Sequence, residues 1–273
     1  PLDWLAITDH SDGMGMIQDV LARSPLVTKY EQGARWADSF NAGGQDAVDG
    51  ALDLIGTFSQ GKMYPEMFAN YSPGSRRYAT IWEDVIQAAE TFNDPGTFTA
   101  FIGFEWTSLS KGANLHRNVI FRDGADRARQ VVPYTTQAPV GSTDPLDLYK
   151  YLEGYEAKTN GATMTFAHNG NLSNGIMFPM DAQYTGRAID KLYVEQRAKW
   201  ERMYEVTQIK GDGETHPFLS PDDEFADYGT WDVGNLDLSE AKTDDMLAGE
   251  YAREALKNGM VLYIATRRIN LEN

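Results

Sequence analysis

TMTFAHNGNLSNG, residues 163–175, is an apolar, β-branched run that ends in His168 and then opens into a loop of Asn, Gly and Ser. A buried strand that presents a polar side chain at its end has this form, since β-branched residues favour strands and Asn-Gly pairs favour turns. A histidine so placed is either packed and hydrogen-bonded in the interior or a metal ligand, and the stretch alone leaves both open. Other strand-like runs finish in the same way, in Asp9-His10, Glu105 and Glu205. Their common pattern predicts a shared metal site at one rim of an α/β domain.

Composition narrows the partners. At 273 residues the chain is long enough for one large α/β domain or two small ones, and we take residues 1–273 as a single domain. With 42% hydrophobic, 12% aromatic and 23% charged residues it has the make-up of a folded protein. A net charge of −16 argues against nucleic acid, whose phosphates are neutralised by clustered Lys and Arg. The longest apolar run, near 260–265, is too short to span a bilayer, so no membrane span is expected. The chain has no cysteine, which excludes disulfides, thiolate zinc sites and a cysteine nucleophile and leaves His, Asp and Glu as metal donors. Cytoplasm and periplasm are both compatible with this, and the oligomeric state is open.

Along the chain, LDWLAI (2–7) reads as a buried strand followed by the loop Thr8–Gly13. Because the chain starts almost on this strand, it reads as a fragment of a longer protein. Residues 14–75 form a helical insertion or lid, with helices near 14–22 and 45–58; its Tyr64, Phe68 and Tyr71, together with Tyr78, either pack it onto the body, the favoured reading, or cover a pocket. Apolar residues Tyr78, Ile81, Trp82, Val85, Ala89 and Phe92 follow helical spacing up to Asn93-Asp94-Pro95-Gly96. TFTAFIGFE (97–105) and LHRNVIF (115–121) read as strands. Asp144-Pro145 caps a helix over 145–158 that Asn160-Gly161 ends, and the strand 163–167 follows. Thereafter the pattern predicts a helix over 185–202, a strand 203–209 containing Glu205, a helix from Thr243 to the C-cap Gly259, and a last strand, MVLYIA (260–265).

All four histidines, His10, His116, His168 and His216, have polar or acidic neighbours in sequence: Asp9 and Asp12, Arg117 and Asn118, Asn169, and Glu214. In such a donor set carboxylates can bridge two cations while imidazoles fix each one. That suits metal-assisted hydrolysis, in which one ion lowers the pKa of a water and another holds the leaving or accepting oxygen. No HExxH, GxSxG, GxxxxGK[ST] or GxGxxG pattern competes.

Five ordered blocks, ITDHSDG (7–13), FIGFEWTS (101–108), NLHRNVIFRDG (114–124), AHNGNLSNGIMF (167–178) and QIKGDGETHPFLSPDDEFA (208–226), resemble the family of domain of unknown function 3604. That family is itself similar to the PHP superfamily of polymerase and histidinol phosphatase domains. The resemblance implies a distorted (β/α)7 barrel with two or three divalent metal ions, zinc, manganese or iron, at the C-terminal ends of its strands. It assigns His10 as a metal ligand with Asp9 next to it as ligand or orienter, Glu105 as a metal-bridging carboxylate, and His168 and His116 as further ligands. Glu205, Glu214 and His216 fall in the pocket, and Asn169, Asn171, Arg117 and Lys210 would hold the substrate. PHP proteins also carry an HxH element one strand earlier and an Asp-His element near the other end. This chain lacks both, and VLYIATRRINLEN (261–273) does not resemble the family, so the barrel is expected to be incomplete.

The expected activity is hydrolysis of a small-molecule ester, a phosphoester first, by metal-activated water with Glu105, His10 and His168 as catalytic residues. Two alternatives stand beside it: carboxylesterase-type activity at the same site, and a non-catalytic, metal-deficient PHP-like binding domain.

Overall fold

The computed structural model describes residues 2–269. It is a mixed α/β fold in two compact units, one of Pro1–Thr107 with Asn118–Thr163 and the other of Ser108–Arg117 with Met164–Asn273. The strands are β1 (Trp4–Ile7), β2 (Thr99–Trp106), β3 (Leu109–Ser110), β4 (Ala113–Asn114), β5 (Arg117–Phe121), β6 (Thr163–Ala167), β7 (Thr207–Gln208) and β8 (Gly211–Asp212). An open four-stranded sheet has the order β1-β2-β5-β6, and β3-β4 and β7-β8 are antiparallel hairpins.

In the first unit β1 runs parallel to β2, with Trp4 opposite Thr99 and Ile7 opposite Ile102. The sequence suggests a buried strand here, yet Trp4, Leu5 and Ile7 are 52%, 42% and 60% exposed. As the terminal strand in the sheet order, β1 shields β2 and is not itself shielded; burial belongs to the neighbours, which a strand's own residues do not reveal. At Gly103 on β2 a Cβ would stand 2.6 Å from the Val119 carbonyl oxygen and 3.1 Å from Thr8 Cγ2, so only glycine lets the backbones come this close.

Helices α1 (Met16–Leu21), α2 (Pro25–Thr28), α3 (Glu31–Ala42), α4 (Gly44–Ser59) and α5 (Pro65–Phe68) form the expected helical insertion. Its core gathers Val20, Val27, Trp36, Met67 and Tyr71. Its aromatic residues pack inward: the Tyr71 hydroxyl donates to Asp19 at 2.7 Å and that of Tyr78 to the Ser11 carbonyl at 2.9 Å, while Tyr64 stays exposed. Then α6 (Arg76–Phe92), capped by Ser75, buries Tyr78, Ile81, Trp82 and Ile86 at helical spacing. Trp82, Phe104, Phe121 and Tyr155 continue this core as a chain of ring contacts. After the short α7 (Ala125–Ala128), α8 (Pro145–Thr159) has the expected Asp144 cap, first-turn proline and left-handed Asn160.

In the second unit α9 (Lys191–Trp200) is shorter than the expected helix over 185–202. Glu205 lies before β7 and not within a strand. The segment from 243 begins as a 3-10 helix, Asp244–Gly249, and α10 (Ala252–Ile269) then runs through Gly259 and replaces the expected last strand over 260–265. A short apolar run does not distinguish strand from helix. A Cβ at Gly259 would meet nothing within 4 Å, and this glycine does not end the helix. Of the C-terminal sequence, residues 270–273 lie outside the described residues. Among the described residues no helix is long and apolar enough to cross a membrane.

Gly103→Ala tests the close approach in the sheet. Overpacking there is expected to lower unfolding stability by about 1–3 kcal/mol, read as a lower denaturant midpoint at unchanged slope. An unmoved midpoint would mean the strands part freely.

Candidate metal centre

The ladder between β1 and β2 runs past the end of β1. The Glu105 amide donates to the Asp9 carbonyl, the Ser11 amide donates to the Glu105 carbonyl, both at 2.8 Å, and His10 stands opposite Glu105 as a parallel bridge. Backbone pairing therefore brings an imidazole and a carboxylate together across 95 residues of chain. His10 Nδ1 lies 3.5 Å from Glu105 Oε2 and 3.2 Å from Thr107 Oγ1, and the Thr107 hydroxyl donates to the Glu105 carbonyl at 3.0 Å. Glu105 is buried, whereas His10 is exposed.

Two residues on, the Asp12 carboxylate accepts the Thr136 amide, the Thr136 hydroxyl and the Gln137 side-chain amide. Burial pushes its pKa up to about 6 against these hydrogen bonds. Asp12 thus ties the histidine loop to the chain around 136. Asp9 presents its carbonyl to β2, and Asp9 and His10 border a cavity of about 910 Å³ with apolar walls that include Ile7, Ile81 and Phe101.

His116, 4% exposed, precedes β5. Its amide donates to Asn114 Oδ1, and its carbonyl accepts the His168 amide at 3.1 Å. Asn114 Nδ2 donates to the carbonyls of His168 at 2.5 Å and Asn169 at 2.9 Å, which fixes the turn after β6. His168 Nδ1 lies 2.6 Å from Glu205 Oε1, and the Asn169 amide donates to Glu205 Oε2 at 2.8 Å. A carboxylate on one ring nitrogen fixes the tautomer and orientation of an imidazole. Asn169 takes left-handed φ (53°), as the turn requires.

Ligand atoms of His10, Glu105 and His116 lie within 4.8 Å of one another, and this group could hold a metal ion. Asp9 and His168, also expected as ligands, are not in that group.

The remaining expected site residues have other partners. Arg117, fully buried, donates to Glu201 Oε1 at 2.6 Å and to the Leu115 carbonyl at 2.7 Å, and Glu201 also accepts Arg197. Glu214 pairs with Arg253, and His216 with Asp232 at 2.9 Å. Asn171 donates to the Lys210 carbonyl at 3.2 Å. Thr107 and Asn114 lie within the blocks quoted above, yet nothing in their spacing marks them out; Asp12 is visible only as an acidic neighbour of His10. Glu205 was visible as a polar residue near a strand-like run, but its pairing with His168 spans 37 positions and has no local signature.

A family model described as "Protein of unknown function (DUF3604)" matches residues 1–268. The chain belongs to that family. The match extends beyond the five blocks at 7–226 and takes in 261–268 of the C-terminal stretch whose sequence does not resemble the family. No curated protein and no solved structure matches the chain.

The buried Arg117–Glu201 pair gives a structural prediction. Arg117→Met leaves Glu201 short of a buried partner, and stability should fall by about 3–5 kcal/mol in denaturant titration. A loss below about 1 kcal/mol would contradict a buried pair.

Proposed function

We propose that this protein is a divalent-metal-dependent hydrolase of ester bonds, with a phosphoester as the leading substrate class. The observation that carries the reading is the His10–Glu105–His116 group. Its donor set fits a divalent ion. Two imidazoles and a carboxylate with no thiolate suit zinc, manganese or iron, and three protein ligands with an open position is the pattern of catalytic sites. Glu105 is buried, unlike the exposed acidic groups that often cluster without an ion.

A divalent ion bound there supplies Lewis acidity, lowering the pKa of a water and offsetting the charge that develops on the substrate oxygens. The protein's own part is positioning. Glu105 contributes the negative charge and, through its backbone, holds the loop that carries His10. Thr107 orients the His10 ring, and His116 contributes a nitrogen from a buried position. The His168–Glu205 dyad stands one backbone hydrogen bond from His116 and is proposed to serve as a further ligand or to exchange protons with the substrate, with Asn169 and Asn171 in the adjoining loop as substrate contacts.

The finer assignment, a PHP-like (β/α)7 barrel with two or three ions, belongs to the same proposal. It is supported by the parallel pairing of β1 and β2 and by the placement of Asp9-His10, Glu105 and His168 at or just beyond the C-terminal ends of β1, β2 and β6, where β/α barrels carry their chemistry.

Glu105→Gln tests it. Hydrolysis of 4-nitrophenyl phosphate or 4-nitrophenyl acetate with added zinc or manganese should fall to the buffer rate in this variant, and a chelator should do the same to the native protein. Unchanged turnover in either arm would contradict the proposal.

A further inference from the structure

Lys242 and Glu250 form an ion pair shut away from water, with side chains 3% and 0% exposed. Moving two charges indoors is costly, and replacing such a pair by apolar residues is often stabilising. Stability alone is therefore a poor reason to keep it. Burial lowers the pKa of Lys242 and pushes that of Glu250 up to about 7, each opposed by the attraction of the other.

The pair touches residues close in sequence to each member of the His168–Glu205 dyad. On the histidine side, Lys242 Nζ donates to the Asn171 carbonyl at 2.9 Å, three residues beyond His168, and approaches Asn174 Oδ1 at 3.5 Å. The amides of Asn174 and Gly175 favour the Glu250 carboxylate as well. On the glutamate side, the Glu250 carbonyl accepts the Tyr204 hydroxyl at 2.8 Å, and Tyr204 is the residue before Glu205. The packing leaves little slack. A Cβ on Gly170 would stand 2.4 Å from both the Glu250 carbonyl oxygen and the Tyr204 hydroxyl, and one on Gly249 would stand 2.1 Å from the Gly175 carbonyl oxygen.

We infer that Lys242 is a positioning residue which, together with Glu250, braces the loop Asn169–Gly175 and so fixes the orientation of the His168 imidazole against Glu205. As far as catalysis is concerned, the inference rests on the hydrolase reading given above; the brace itself does not. Glu250 acts from the opposite end of the same dyad, through Tyr204. A carboxylate that orients a working histidine matters about tenfold to a hundredfold in activity or metal affinity, and the brace acts one step further out.

The test uses the full chain, uniformly labelled with ¹⁵N; with only four histidines, their ring nitrogens are separable by NMR. In the native protein His168 should show a fixed tautomer with the proton on Nδ1, donated to Glu205. Lys242→Met should release it, giving averaged ring nitrogen shifts for His168 while those of His216 stay put. The double variant Lys242→Met/Glu250→Leu replaces the charges by apolar groups and guards against simple unfolding: it should fold at least as stably and show the same His168 change. With 4-nitrophenyl phosphate and manganese, kcat should fall about tenfold or more while KM moves less than about threefold. An unchanged His168 signature in a folded variant would overturn the inference. An absence of metal-dependent turnover in the native protein, with the His168 change present, would instead count against the hydrolase reading and leave the brace standing.

Discussion

Two backbone hydrogen bonds, Glu105 amide to Asp9 carbonyl and Ser11 amide to Glu105 carbonyl, hold the loop after β1 to the strand β2. The glycine at 103 lets neighbouring strands approach, parallel pairing sets the register, and the register sets His10 opposite Glu105. A shift of one residue would put the opposite faces together. Had the loop peeled away at Ile7, the Glu105 carboxylate would lose the imidazole that backbone pairing brings to it.

The same economy recurs where His168 meets Glu205. One carboxylate takes the ring nitrogen with one oxygen and the next backbone amide with the other, so ring orientation and turn geometry are set together. Asn114 holds the turn from the other side through two carbonyls. Arg117 and Glu201, both buried, spend their charge on each other and on Arg197, a structural use of residues that in sequence alone suggest anion binding. Lys242 and Glu250 form a second buried ion pair of this kind.

Much of this was readable before the fold was known, for a common physical reason. The strand 163–167, the caps of α8 and the apolar face of α6 are local features: β-branched runs, a capping Asp before Pro, and residues at helical spacing act over one or two turns of chain. Asp9-His10 and Glu105 were visible because each ends such a run. Features that depend on distant partners were not readable. The exposure of β1 follows from its place in the sheet order, and MVLYIA continued a helix because nothing in it or at Gly259 broke one. The pairs His168–Glu205, Arg117–Glu201 and Lys242–Glu250 join residues with no shared motif, and only the folded chain brings them together.

The most direct measurement of the central claim is the metal itself. Native protein, stripped with chelator and dialysed against zinc or manganese, should retain the ion stoichiometrically, and a His10→Ala/His116→Ala double variant, shown folded by circular dichroism, should retain none. Native protein that keeps no ion, or a folded double variant that keeps as much as the native, would contradict the account.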